Sequence, residues 1–190
     1  RGRYMQEAVP VGVGAMAAVM GAELDDIEKV CRDVSGDEVC SPANINSPNQ
    51  VVIAGHAAAI GRAIEALKEI CAKRVIKLNV SAPFHCALMK PAQDRLEKDL
   101  EQLSFSEAKT PVVTNADAAM TKDPAVMRDS LVRQVSSPVR WLESMRLLFD
   151  QGVQTFVEVG PGKVLSGLMR QISRDVHCFN VEDAASLQAA

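Results

Sequence analysis

The 190-residue sequence is poor in aromatic side chains, with five Phe, one Trp and one Tyr. It has no uninterrupted apolar run near the ~18–20 residues that a membrane span needs, and its opening Arg1-Gly2-Arg3-Tyr4-Met5 lacks the apolar core of a signal peptide. Neither sign of charge dominates: 21 Lys and Arg against 24 Asp and Glu leave a net charge of −3. The basic surface that drives nucleic-acid binding by counterion release is therefore missing. These absences lead us to expect a cytoplasmic protein with no membrane and no nucleic-acid partner. The five cysteines, Cys31, Cys40, Cys71, Cys86 and Cys178, are odd in number and contain no Cys-x-x-Cys, so they read as reduced thiols and not as a disulfide framework. His56, His85 and His177 share no helical or turn spacing with one another or with carboxylate clusters, and no metal site is expected. Nor is there a Gly-x-Ser-x-Gly: Ser166, the nearest imitation, has Val164 two residues before it.

What is present is a 47% hydrophobic share, ample for a packed core. Residues 14–20 form an apolar run closed by Gly21, followed over 23–34 by Leu24, Ile27, Val30, Cys31 and Val34 at helical spacing. Residues 39–45 and 50–54 read as two strands joined by the turn formers Asn46-Ser47-Pro48-Asn49. A helix over 56–72 places Ile60, Ala63, Ile64, Leu67 and Ile70/Cys71 on one face, and 74–80 alternate as a strand. The order β-α-β-β-α-β predicts a ferredoxin-like split βαβ unit over residues 12–80. From residue 81 the pattern is helix 87–103, strand 111–115, helix 124–136 with Asp123-Pro124 as its start, a helix from Pro138, strand 155–159, helix 163–173 and a strand near 176–181. Such alternation predicts an α/β arrangement with too few strands for a full doubly wound domain, as in the later half of a larger core. The chain opens at Arg1 without a methionine, inside a polar helix-like segment, and is expected to be a fragment.

The candidate base is His85, in Ser81-Ala82-Pro83-Phe84-His85-Cys86 between a strand and a helix, where an imidazole is set to exchange protons near neutral pH. A Cys86-His85 dyad is disfavoured because neighbouring side chains at a helix start diverge. Gly160-Pro161-Gly162-Lys163 only imitates a phosphate loop: one residue separates its glycines and Val164 follows the lysine, so a tight strand-to-helix turn is expected. Lys73-Arg74, with Arg62 and Lys68 nearby in sequence, are a candidate basic patch for an acidic partner. Asn44 and Asn46 are first of all hairpin residues, with a ligand role second.

Six blocks together resemble a known family: Arg1-Gly-Arg-Tyr-Met-Gln-Glu-Ala, Asn44-Ile-Asn-Ser-Pro-Asn-Gln-Val-Val-Ile-Ala-Gly, Ser81-Ala-Pro-Phe-His-Cys-Ala-Leu-Met-Lys-Pro, Leu131-Val-Arg-Gln, Pro138-Val-Arg-Trp and Glu158-Val-Gly-Pro-Gly-Lys-Val-Leu. In order and spacing, from Arg1 to about Gly167, they resemble the malonyl-CoA:acyl carrier protein transacylases of bacterial fatty acid synthesis. The resemblance implies a ferredoxin-like small domain, residues 12–80, inserted in an α/β-hydrolase-like large domain that supplies residues 1–11 and 81–190. It implies an acyltransferase that takes malonyl from malonyl-CoA onto a serine and passes it to the phosphopantetheine thiol of acyl carrier protein, with coenzyme A thioester as substrate and no cofactor.

By the same likeness His85 is the base, the backbone carbonyl of Gln134 holds its imidazole, and Arg1 pairs with the free malonyl carboxylate. Phe84 resembles the bulky substrate-binding residue that would crowd an α-methyl substituent, while Asn46 is a candidate substrate-binding residue whose role, like that of Asn44, stays open. Lys73 and Arg74 fall where the acidic carrier protein docks. The complete enzyme is expected to be a free-standing monomer rather than part of a polyketide synthase. The nucleophile elbow, the oxyanion-hole glutamine loop and the first strands of the large domain are absent from these blocks. The isolated chain is therefore expected to be inactive and to expose apolar surface. The alternative is a non-catalytic truncated module that binds carrier protein or coenzyme A.

Overall fold

A computed structural model describes residues 1–70 and 72–189. Cys71, expected on the buried face of its helix, lies outside the described residues. The elements run α1 (Gly2–Glu7), β1 (Gly14–Met20), α2 (Leu24–Ser35), β2 (Cys40–Ser47), β3 (Gln50–His56), α3 (Ala57–Ile70) and β4 (Arg74–Lys77). After a 3-10 turn at Ala87–Met89 come α4 (Lys90–Glu101), β5 (Val112–Thr114), β6 (Ala119–Thr121) and α5 (Pro124–Arg133). The chain closes with α6 (Trp141–Asp150), β7 (Thr155–Val159), α7 (Val164–Ile172), β8 (His177–Val181) and α8 (Ala184–Ala189). No helix among the described residues is long and apolar enough to cross a membrane. The architecture is α/β.

The first four strands form one antiparallel sheet in the order β2-β3-β1-β4. Strands β1 and β3 are apolar without alternation because the sheet is buried on both faces. On one face Ala15, Ala17, Val19, Val51 and Ile53 pack under Ile27 and Cys31 of α2 and Ile60, Ala63 and Leu67 of α3. On the other face Met16, Ala18, Val52 and Ala54 pack on Cys86, with Phe84 and Leu88 against them. The sheet is thus a platform under the turn that carries His85. The approach is close: a Cβ on Gly14 would meet the Pro83 ring at 2.2 Å.

Gly55 has a second close approach. It pairs with Ala15 on one side and Cys40 on the other, and a Cβ there would meet the Val39 carbonyl oxygen at 1.9 Å. Backbone cannot yield as a flexible side chain would, so Gly55→Ala is expected to cost about 3 kcal/mol by overpacking. Gly61, in α3 with nothing within 4 Å of a built Cβ, gives the opposite sign. There alanine is expected to add up to about 1 kcal/mol through helix propensity. Denaturant midpoints of the two variants check both.

Several sequence expectations need correction. The hairpin turn is only Pro48-Asn49, since Ser47 already pairs with Gln50. Strand β4 stops at Lys77 instead of running to residue 80, and Ile70, expected on the buried face of α3, is 62% exposed. The expected 87–103 helix opens with the 3-10 turn. The helix expected from Pro138 begins at Trp141, because Val139 is drawn into the sheet: its N–H donates to Ala43 O (2.8 Å) and its carbonyl accepts from Ile45 N–H (2.9 Å). The sequence pattern does not announce β6 or α8; β6 is three residues long and, among the described residues, pairs with β5 alone. The late strands β7 and β8 pair in parallel as a two-stranded sheet that leaves Val157, Val159 and Phe179 exposed, in keeping with the expected apolar surface.

Candidate active site

Three separate stretches meet in one apolar cluster. Met5 and Val9, in and after α1, pack with Met89 of the 3-10 turn, with Ala92 and Leu96 of α4 and with Val135 just beyond α5; Phe84 lies against the same cluster. Met89 and Val135 are fully buried. Their neighbours in sequence, Arg1, His85 and Gln134, are therefore held in a common frame by hydrophobic burial. Gln93 of α4, itself buried, accepts from Ser136 and pins the segment after α5 to the same frame.

His85 has φ +60°, in the left-handed region that non-glycine residues avoid, at the tip of the Pro83–Cys86 turn. Its Nδ1 lies 2.8 Å from the Gln134 carbonyl oxygen. A carbonyl only accepts, so Nδ1 carries the proton and Nε2 keeps its lone pair. The carbonyl is available because a continuing helix would have donated to it from residue 138, and Pro138 has no N–H. The chain after Arg133 turns instead through tight i to i+3 bonds, Val135 N–H to Val132 O and Ser136 N–H to Arg133 O, so the helix expected to reach 136 ends at Arg133. The Gln134 side chain donates to the carbonyls of Ser137 (3.1 Å) and Pro138 (3.3 Å), holding the same turn from within.

Burial lowers the His85 pKa below the usual imidazole value, and the Arg1 charge lowers it further, against the opposing effect of the bond to the Gln134 carbonyl and of the Ser137 carbonyl nearby. The neutral, lone-pair-bearing form is thus favoured at pH 7. The Arg1 charge is near enough to act on His85; the residue is exposed at the surface, yet the surrounding protein desolvates its guanidinium enough to lower its own pKa. Cys86 turns away, its Sγ 3.2 Å from the Pro83 carbonyl, and burial pushes its thiol up to about 11, so it is neither paired with His85 nor ionised.

The other candidates lie apart. Asn46 donates to Gln50 at 3.5 Å within the hairpin, and among the described residues no hydrogen bond joins it to His85, Arg1 or Gln134. Asn44 makes the parallel bridge to Val139. Lys73 and Arg74 are exposed at the end of the sheet, where Lys73 shares a concavity with Asn49, Gln50 and Gln171 of α7. The wider basic patch is corrected: Arg62 is bound to the Val34 carbonyl and Glu38, and Lys68 to Glu65. Gly160-Pro161-Gly162 is a strand-to-helix turn with positive φ at both glycines. No phosphate can use the α7 N-terminus as it stands, because the Glu158 carboxylate already accepts from Leu165 and Ser166 N–H. Burial would raise Glu158, but these bonds outweigh it and hold the carboxyl at about 2.

Sequence reasoning missed Asp117, whose carboxylate accepts from Arg133, Ser130 and Thr114. The only signal was local, Thr114-x-x-Asp117 at a turn; its partners lie 13 and 16 residues on.

The acyl transferase domain family matches residues 1–188. A malonyl CoA-acyl carrier protein transacylase of Salmonella typhimurium is 47% identical over all 190 residues, which cover 62% of that relative. Among solved structures, an acyl carrier protein S-malonyltransferase of Vibrio cholerae superposes with a TM-score of 0.96 at 49% identity, covering 100% of this chain and 62% of that one. A malonyl-transacylase in complex with a type II PKS acyl-carrier protein superposes at 0.95 with 45% identity, covering 100% and 61%. The chain thus spans about 62% of the length of the curated relative it matches. With the match running through the α1, His85 and Gln134 segments alike, the chain belongs to the acyl transferase domain family.

Proposed function

We propose that the full-length protein carrying this chain is a malonyl-CoA:acyl carrier protein transacylase of fatty acid biosynthesis, and that these residues supply its base, the anchor of that base and its carboxylate clamp. The observation that carries this reading is the His85 Nδ1 to Gln134 carbonyl bond of 2.8 Å. It leaves Nε2 to take the proton of a serine Oγ as that oxygen attacks the thioester carbonyl. The serine–acyl bond forms, the carbon–sulfur bond breaks, and the proton passes from Nε2 to the departing coenzyme A sulfur. In the second half the phosphopantetheine thiol gives its proton to Nε2 and attacks the ester, and the serine recovers the proton as it leaves. Coenzyme A enters as a thioester substrate, and the residues require no other cofactor.

A carbonyl in place of the acid of a Ser-His-Asp triad suits a site beside Arg1, since it orients the imidazole without adding a negative charge that would compete for the guanidinium. Arg1 offers a planar fork to the malonyl carboxylate. Phe84, wedged between the sheet and the α1–α4 cluster, is fixed enough to crowd an α-substituent.

The finer division of the α/β fold is part of the same reading: a ferredoxin-like unit over 12–80, supported by the antiparallel β2-β3-β1-β4 order, inserted in a hydrolase-like domain holding 1–11 and 81–190. Lys73 and Arg74 face the carrier protein. The concavity beside Lys73 shares Gln171 with a larger one lined by Arg170, Arg174 and His177, which extends the basic surface offered to an acidic partner. The enzyme works in the cytoplasm as a monomer.

No Gly-x-Ser-x-Gly occurs in these residues, so the test uses the full-length protein. Mixed with malonyl-CoA, it is expected to gain the mass of one malonyl group and to lose it on adding carrier protein. A protein that stays unmodified, or holds malonyl without passing it on, rejects the reading.

A further inference from the structure

Segment 134–139 holds His85 through the Gln134 carbonyl and joins β2 through Val139, and it contains no regular element of its own. Both ends of it are gripped by the turn between β5 and β6. At the leading end, Arg133 places Nη1 2.8 Å and Nη2 2.9 Å from the two Asp117 carboxylate oxygens, a bidentate pair. At the trailing end, Arg140 Nη1 donates to the Asp117 backbone carbonyl at 3.0 Å, and Arg140 N–H to the Asn115 carbonyl at 3.1 Å. Ser130 (2.6 Å) and Thr114 (3.1 Å) both donate to the same carboxylate oxygen, Oδ2. Ala118, the next residue, has φ +49°, and with His85 it is one of the two non-glycine residues in the left-handed region among those described. Strain of that kind persists where surrounding contacts over-determine it.

The geometry points to Asp117 as a positioning residue for the base: it clamps both ends of the 134–139 segment so that the Gln134 carbonyl stays on His85 Nδ1. Asp117 touches no reacting atom in this scheme and acts through Arg133, Arg140 and Gln134. Its effect on rate rests on the assignment of His85 as the base, whereas its effect on the imidazole does not.

Asp117→Asn keeps the shape but loses the charge and presents an amide donor to Arg133 or Ser130, so the leading end of the clamp, next to Gln134, opens while the backbone contacts to Arg140 remain. Nitrogen NMR of His85 in the full-length protein is expected to show the Nδ1–H tautomer giving way to a mixture. The kcat for malonyl transfer is expected to fall by roughly ten- to a hundredfold, the effect of a small displacement of a catalytic group, with KM for malonyl-CoA changed by less than about twofold. The control is Asp123→Ala, which removes the cap that accepts from Ala125 and Val126 N–H at the other end of α5. It is expected to lower the melting temperature and leave the His85 tautomer alone. An unchanged tautomer in Asp117→Asn overturns the proposal, and so does an equal change in Asp123→Ala, which would mean general loosening of the helix. A shifted tautomer with full transfer activity would leave the clamp standing and reject His85 as the base.

Discussion

Replacing His85 with alanine in the full-length protein is expected to slow both malonyl loading and transfer to carrier protein by about a thousandfold, within the range of a lost general base. Both half-reactions suffer because the same Nε2 takes the proton from serine in one and from the thiol in the other. The pH dependence follows from the site. Burial first, and the Arg1 charge next, lower the His85 pKa, while the Gln134 carbonyl opposes them. Only the neutral imidazole accepts a proton, so activity is lost as pH falls through that lowered value, and the acid limb of kcat/KM lies below about 6.5, the ordinary imidazole value. Rates of each half-reaction across pH 4–8 check this. Transfer at the unmodified rate in His85→Ala would remove the residue from the mechanism.

Arg1→Ala is expected to separate substrates rather than abolish catalysis. Malonyl keeps a negative carboxylate that must find a partner in a partly desolvated site, and leaving it unpaired costs about 3 kcal/mol, roughly a hundredfold in kcat/KM. Acetyl has no such group and its slow transfer is expected to hold or improve. Lysine at this position restores only part of the loss, because an ammonium cannot offer the planar fork. A second readout is independent of the substrate carboxylate. Since the Arg1 charge lowers His85, its removal raises the imidazole pKa, and the acid limb of the acetyl profile moves to higher pH. Equal loss of malonyl and acetyl transfer would reject the pairing role.

Much of the fold was legible in local sequence. The apolar runs of β1 and β3, a turn within Asn46-Ser47-Pro48-Asn49, and the helical spacing of Ile27, Val30 and Cys31 each specify their element from neighbouring residues. The Asp123-Pro124 start of α5 was equally plain, with the carboxylate accepting from Ala125 and Val126 N–H. What failed was decided at a distance. The helix expected from Pro138 gives way because Ala43 and Ile45, almost a hundred residues earlier, take the backbone of Val139. The wider basic patch shrinks because Val34 and Glu38 claim Arg62.

The site divides in the same way. Local sequence places a histidine between strand and helix and puts Pro138, which has no N–H to donate, four residues after Gln134. Neither fact says that the two meet. Long-range packing brings His85 and Gln134, 49 residues apart, to 2.8 Å, with Asp117 holding Arg133 next to Gln134. The reason is that hydrogen bonds in this site are short-ranged and directional, while the force that assembles it is not. Burial of Met5, Met89 and Val135 in one cluster sets the frame, and whether a given carbonyl then faces a given imidazole depends on that frame.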